Sequence, residues 1–428
     1  MAQVEFGLHW LVSPVTRAAF KQKYWERRPL VIQRSDATYF AGLLTLPEVE
    51  ELLRSYEIMP DVLRLVKDGT DLSLANVGTG IERPIAAFRS GATIVLHGLQ
   101  RMHFSLSRLC NALSNDVSCD FQVNAYLTPG SKKEAQGLGI HYDTHDVFIA
   151  QLAGSKLWKI YHSPVKLPLE SHPHDPEAKD KGSLIHECEL KPGDCLYIPR
   201  GFYHCAKVSK TPQASLHLTI GVHPTKWSDL IATTLRCASE REARLRESLP
   251  LGFARDKRTL PDIRRRFHRM LAELSASPHL DAALDAIVSD LGDRQRPLLN
   301  GHFADLEACK DLRVNTRVRR RSEIAAEIAV KERSINLRFH GKVVRMPARL
   351  SHTLDFIAHA DVFCPGDLPG KLKNSEKLVL VRRLLEEGYL TAMKEEPDRS
   401  PQGRKGSAPR RKGAPDRTKS LTPRRSLD

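Results

Sequence analysis

The sequence predicts a mixed α+β protein whose central third closes into a β-sandwich or barrel. Three observations lead there. Residues 96–224 hold short β-rich runs punctuated by Gly and Pro, residues 225–300 show helical periodicity, and residues 301–396 mix helix with a hairpin signal. A chain of 428 residues exceeds one ordinary core, so several domains are expected.

Residues 1–95 read as an α/β segment packing on the barrel. Phe20–Glu26 ends an amphipathic helix; Pro29 forbids its continuation, and the β-branched residues of Arg28–Gln33 then favour a strand. Thr45 caps a new helix, with Pro47 in its first turn and acids alongside. In 96–224 the expected strands are Phe121–Leu127, Asp146–Leu152, Lys156–Tyr161, Cys195–Ile198 and Ser215–Val222. Helices are expected where apolar residues recur through Leu230 and Cys237, in Ile263–Leu274 and in Leu280–Leu291. Further on, Ser334–Phe339 and Val343–Met346 flank a His340-Gly341-Lys342 turn, and Leu378–Leu385 forms a helix closed by Gly388.

Composition sets limits. Hydrophobic residues make up 41 % of the chain, enough for folded cores. No apolar run approaches the roughly 20 residues of a membrane helix, and Met1–Phe20 lacks the pattern of a secretory signal. Eight scattered cysteines without a C-x-x-C pair argue against a zinc ribbon or disulfide framework, so a cytoplasmic setting is expected. The net charge of +15 is unevenly placed. Residues 397–428 form a Pro/Gly/Ser-rich tail; from Pro401 onward nine Lys/Arg face two Asp, a charge of +7. This tail is expected to be disordered, a solvated segment first and only weakly a nucleic-acid contact.

The chemistry concentrates in His141-Tyr142-Asp143, followed 61 residues after Asp143 by His204. On a strand, residues two apart share a face, so His141 and Asp143 can point into a barrel together while His204 arrives from a facing strand. Two imidazoles and a carboxylate on one face of an octahedral metal suit Fe(II) and leave positions for a bidentate 2-oxo acid and O2, although Mn, Co, Ni or Zn fit the same ligands. An isolated H-x-D pair is a weak motif. Here its third member sits in Lys191-Pro192-Gly193-Asp194-Cys195-Leu196-Tyr197-Ile198-Pro199-Arg200-Gly201-Phe202-Tyr203-His204, where two turns enclose a buried strand, as at the mouth of a cupin barrel. His145 offers a competing third ligand; one strand is poorly able to supply a complete facial set, which leaves His145 at the rim.

HYDTHDVFIAQLAGSKLWKIY and KPGDCLYIPRGFYHCA, with YWERRPLVIQR and NAYLTPG upstream and SLHLTIGV downstream, resemble the JmjC-type ribosomal oxygenases over at least residues 20–224. The resemblance implies a double-stranded β-helix (jelly-roll, cupin-type) barrel using Fe(II), 2-oxoglutarate as cosubstrate and O2. His141, Asp143 and His204 match the iron ligands. Lys156, fifteen residues after His141, matches the cation that pairs with the far carboxylate of 2-oxoglutarate; a hairpin-edge lysine is the alternative. Asn124 and Tyr126 match positions beside the cosubstrate or metal, with a core tyrosine an equal reading of Tyr126. Ser215 and His217, on the closing strand, fall near the pocket.

The resemblance extends to a helical dimerisation region at 225–300 and a winged-helix-like domain at 301–396. Arg319-Arg320-Arg321 invites a nucleic-acid reading. Residues 302–396, however, carry 18 Lys/Arg against 14 Asp/Glu, modest for neutralising phosphates, and a protein-contact or packing module is favoured. Hydroxylation of a ribosomal-protein side chain is the implied activity. A peptide or small-molecule hydroxylase is kept open by the long Ser131–Gln136 loop before His141, and a non-catalytic cupin or winged-helix regulator is the reading from another class. Demethylation of an N-methyl group would use the same chemistry.

Overall fold

The computed structural model describes residues 5–393, apart from 55–59, 73–79, 131–137, 163–164, 173–181, 209–211, 276–277, 322–323, 325 and 331–332. The Ser131–Gln136 loop and the basic tail therefore lie outside the described residues.

The N-terminal segment holds α1 (Leu8–Leu11), α2 (Arg17–Lys23), β1 (Leu30–Ile32), α3 (Leu46–Arg54), β2 (Leu63–Lys67), β3 (Thr70–Asp71), α4 (Glu82–Arg89), β4 (Thr93–Leu96) and α5 (Phe104–Val117). Local chemistry sets its turns. Thr45 begins α3 with a reciprocal cap: its N–H donates to Glu48 Oε2 at 2.7 Å and its Oγ1 accepts from Glu48 N at 3.4 Å.

The barrel follows as β5 (Cys119–Thr128), β6 (Asp146–Ala153), β7 (Lys156–Tyr161), β8 (Leu184–Leu190), β9 (Cys195–Ile198), β10 (Tyr203–Val208) and β11 (Ser215–Pro224). It has two antiparallel sheets, one ordered β1-β9-β6-β11-β5-β4-β2-β3 and the other β10-β7-β8. The N-terminal segment thus supplies four strands of the larger sheet, which runs through the boundary expected near residue 95. Leu106, Val123, Leu218 and Ile220 belong to the large cluster behind that sheet, and Trp158, Ile160 and Leu196 to a smaller one between the layers. The architecture is a cupin-type jelly roll within a mixed α/β chain.

Three helices come next: α6 (Trp227–Arg241), α7 (Leu260–Ser275) and α8 (His279–Arg294). The C-terminal unit comprises α9 (His302–Ala308), β12 (Val318–Arg320), β13 (Glu327–Val330), β14 (Ser334–Phe339), β15 (Lys342–Pro347), α10 (Ser351–His359), β16 (Val362–Phe363), α11 (Asn374–Glu386) and β17 (Leu390–Ala392). Its strands form a β16-β12-β17 sheet and a separate β13-β14-β15 meander around their own hydrophobic cluster. Arg321 is buried here; its guanidinium reaches Asp305 Oδ2 at 2.6 Å and the Leu298 carbonyl at 2.8 Å, so one member of the arginine triplet is a packing cation. No helix among the described residues is long and apolar enough to cross a membrane.

Candidate metal centre and cosubstrate cavity

A cavity of about 620 Å³ opens between the two sheets and is lined by His141, Asp143, His204, Lys156, Asn124, Tyr126 and His217. His204 lies on β10 opposite Ile160 of β7. His141 and Asp143 were expected on a regular strand. Instead, His141 makes a single antiparallel bridge to His204, with reciprocal backbone hydrogen bonds of 3.1 and 2.7 Å, and the chain reaches Asp143 before β6 begins. The bridge brings the three side chains together: His141 Nε2 is 3.8 Å from Asp143 Oδ1, and His204 Nε2 is 3.6 Å from Asp143 Oδ2.

These residues fit a metal ion. One donor atom from each of the three lies within 4.8 Å of the others, and among the described residues this is the one such group. His141 Nδ1 is 2.8 Å from the Gly139 carbonyl, and His204 Nδ1 is 3.0 Å from that of Phe202. A carbonyl only accepts, so each Nδ1 bears the proton and each Nε2 keeps the lone pair that a metal requires. Burial, aided by the neighbouring His141, pushes His204 down to about 4, which keeps its imidazole neutral. Burial opposes the Asp143 carboxylate, but His204 and His141 outweigh it and hold its pKa below the usual value. His145 stands outside this group and stacks on His223, with ring centroids 4.8 Å apart, at the cavity edge.

Across the cavity, alternation along β7 turns Lys156, Trp158 and Ile160 inward. Lys156 is only 4 % exposed. Burial alone lowers its pKa to about 7, and no carboxylate among the described residues pairs with it. A buried amine without a counter-ion is costly unless an anion completes it. Tyr126 and His217 face each other across β5 and β11 and stack at 4.9 Å, 9° from parallel. Burial raises the Tyr126 phenol, with Asp143 adding to the effect, and burial followed by Lys156 lowers His217 well below its ordinary value. Asn124 lines the cavity and accepts a hydrogen bond from Gly98 N at 3.0 Å. Ser215 is the exception among the expected pocket residues. It is not among the lining side chains, and its hydroxyl accepts from Gln151 Nε2 at 2.9 Å.

The sequence reading missed Arg64, His97, Trp158 and Thr219, which also line the cavity. The two-residue alternation from Lys156 marks Trp158, and the register with Asn124 marks Thr219. Arg64 and His97 come from β2 and just beyond β4, and nothing in their local sequence points to this cavity.

Comparison with known proteins agrees with this arrangement. Residues 96–230 match the family model described as the JmjC domain. Human ribosomal oxygenase 1 is 30 % identical over 259 residues, 57 % of this chain and 39 % of that protein. Ribosomal oxygenase 2 of Mus musculus is 29 % identical over 303 residues, 66 % of this chain and 62 % of that protein. The chain thus spans less than two thirds of the length of these relatives. A further relative, the bifunctional lysine-specific demethylase and histidyl-hydroxylase NO66 of Drosophila mojavensis, is 29 % identical over 255 residues, 57 % of this chain and 28 % of that protein. An X-ray structure of Escherichia coli YcfD superposes with a TM-score of 0.54 at 18 % identity, covering 89 % of this chain and 98 % of that one. The same ribosomal oxygenase in complex with cobalt and 2-oxoglutarate gives 0.50 at 18 % identity over the same shares. These likenesses in structure establish the shared fold. The matches in sequence give the chain a JmjC domain over residues 96–230 and make it similar to the ribosomal oxygenases.

Proposed function

We propose that this protein is an Fe(II)- and 2-oxoglutarate-dependent oxygenase that hydroxylates a protein side chain, that of a ribosomal protein. The observation that carries the reading is the pairing, in one cavity, of the His141/Asp143/His204 cluster with the buried, carboxylate-free Lys156. A metal cluster alone would suit many tasks. A deep cation beside it selects for an anionic ligand that reaches the metal, as a 2-oxo diacid does.

His141 and His204 would hold the iron through Nε2, and Asp143 through its carboxylate. When bound, the iron supplies activation of O2, coupled to oxidation of 2-oxoglutarate to succinate and CO2 and of a substrate C–H bond to an alcohol. Lys156 binds the far carboxylate, and we read the Tyr126 hydroxyl, which lines the same cavity, as a second donor to that group. Asn124 buttresses that wall, His217 supports Tyr126 by stacking, and Val147, Ile149 and Trp158 restrict water around the reacting groups.

The relatives named as ribosomal oxygenases support the substrate class, and the net charge of +15 suits a partner coated in RNA. We read α6–α8 as a homodimerisation region, residues 301–396 as a winged-helix-like protein-contact module and the setting as cytoplasmic. The test is succinate formation by purified protein with Fe(II), 2-oxoglutarate and ascorbate. Turnover in the wild type that is lost in His204→Ala and raised by a ribosomal-protein extract is the expected result. Turnover indifferent to the extract would overturn the substrate class, and an absence of both turnover and metal-dependent 2-oxoglutarate binding would overturn the oxygenase.

A further inference from the structure

Behind the metal ligands, on the side away from the cavity, one buried cation joins three parts of the chain. Arg200 lies in the turn between β9 and β10, four residues before His204, and is 7 % exposed. Its Nη1 is 2.6 Å from Asp146 Oδ2, and its Nη2 is 2.6 Å from Glu26 Oε1. Asp146 is fully buried at the start of β6, three residues after Asp143. Tyr197 closes the ring: its hydroxyl donates to Asp146 Oδ1 at 2.9 Å and accepts from Glu26 N at 3.0 Å. Glu26 has a left-handed backbone, φ 55°, which a non-glycine residue adopts only where its surroundings hold it there.

The ring is wired to the ligands through the main chain. Gly201, next to Arg200, donates its N–H to the Asp143 carbonyl at 3.0 Å, and the His141–His204 bridge follows immediately. Gly201 itself has φ 89°, and a Cβ there would come 2.4 Å from the Val165 carbonyl oxygen, so this turn has little freedom to adjust. Arg200, Asp146, Glu26 and Tyr197 are absent from the cavity lining, so they touch neither metal nor substrate and can act only through the ligand-bearing segments.

We propose that Arg200 is a positioning residue for the metal centre. By bridging Asp146 and Glu26 it fixes the spacing of Asp143 from His204 and ties that spacing to the N-terminal segment. The inference rests on the metal-site reading above but not on any substrate. Bridging two carboxylates with defined geometry requires the planar fork of a guanidinium; the compact ammonium of lysine keeps the charge and loses the fork.

The test is Co(II) titration of full-length Arg200→Lys and Glu26→Gln, followed by the visible absorption bands of bound Co(II), alongside thermal unfolding of the metal-free proteins. Arg200→Lys is expected to unfold within a few degrees of wild type, yet to bind Co(II) about tenfold or more weakly with shifted bands. Glu26→Gln, which opens only the outer half of the bridge, is expected to shift both readouts in the same direction by less. Unchanged Co(II) affinity and bands in Arg200→Lys would overturn the proposal whatever happens to its melting temperature. Should Arg200→Lys fail to fold, unchanged Co(II) binding by Glu26→Gln would overturn it instead. Wild-type protein that binds no Co(II) would overturn the metal site itself, an outcome distinct from a clamp that fails in a metal-binding protein.

Discussion

Lys156 shows how a functional role can be proposed for one residue from what surrounds it. The same side chain at a hairpin edge would sit in water at its ordinary pKa; here burial brings it to about 7. Lys156→Met should raise the Kd for 2-oxoglutarate on the Mn(II)-loaded protein by roughly 10- to 100-fold, the scale of one hydrogen bond to a charged group. Calorimetry checks this, and an unchanged Kd would remove Lys156 from the cosubstrate site. The pH dependence has a definite sign. The dicarboxylate binds the protonated amine, which is already present below about pH 7 and must be regenerated above it. The Kd should therefore be flat below that value and rise by about tenfold per pH unit above it, with up to one proton taken up per ligand. Comparing binding enthalpies at pH 8 in two buffers of different ionisation heat measures that proton; zero uptake would contradict the assignment.

At the scale of elements, α7 is the anomaly. It is 16 residues long and none of them is buried. Phe267 is 57 % exposed and Leu271 45 %, while Trp227 on α6 is 82 % exposed and Val288 on α8 54 %. Apolar faces of this extent on adjoining helices need a covering surface, and a second copy supplies one symmetrically. Light scattering should give twice the chain mass for the wild type and the single mass for Phe267→Asp/Leu271→Asp, with uncoupled succinate formation retained. A monomeric wild type would refute the dimer. The helical periodicity that predicts α7 was legible because it depends only on spacing. That the helix leaves its apolar stripe uncovered was not, because burial depends on what else packs there.

At the scale of the whole molecule, the chain has separate apolar cores, one behind the barrel and one in the C-terminal unit. Calorimetry should resolve two unfolding transitions. Co(II) with 2-oxoglutarate at about 100 times Kd should stabilise the barrel by about 2.7 kcal/mol, moving its transition up by several degrees and leaving the other in place. Both transitions moving together would mean a single cooperative unit. The jelly roll was readable because its strands are short, alternating and bounded by turns. The four N-terminal strands were not assigned to its sheet, because pairing between residues as distant as Leu30 and Tyr197 leaves no local trace.

The sequence by itself determined the barrel strands β5, β6, β7, β9 and β11, the helices α6–α8 and α11, the β14–β15 hairpin, the spacing of His141, Asp143 and His204, and the lysine that opens β7. Those features are local, or lie in motifs whose residue types have few other uses in that order. Tertiary structure alone decided that His141 joins His204 through a single bridge rather than a full strand, that Ser215 turns to Gln151, that Arg64 and His97 reach the cavity, and that Arg200 links Glu26 to Asp146. Each depends on which distant segments meet, and that is set by the packing of two sheets whose contacts no stretch of neighbouring residues encodes.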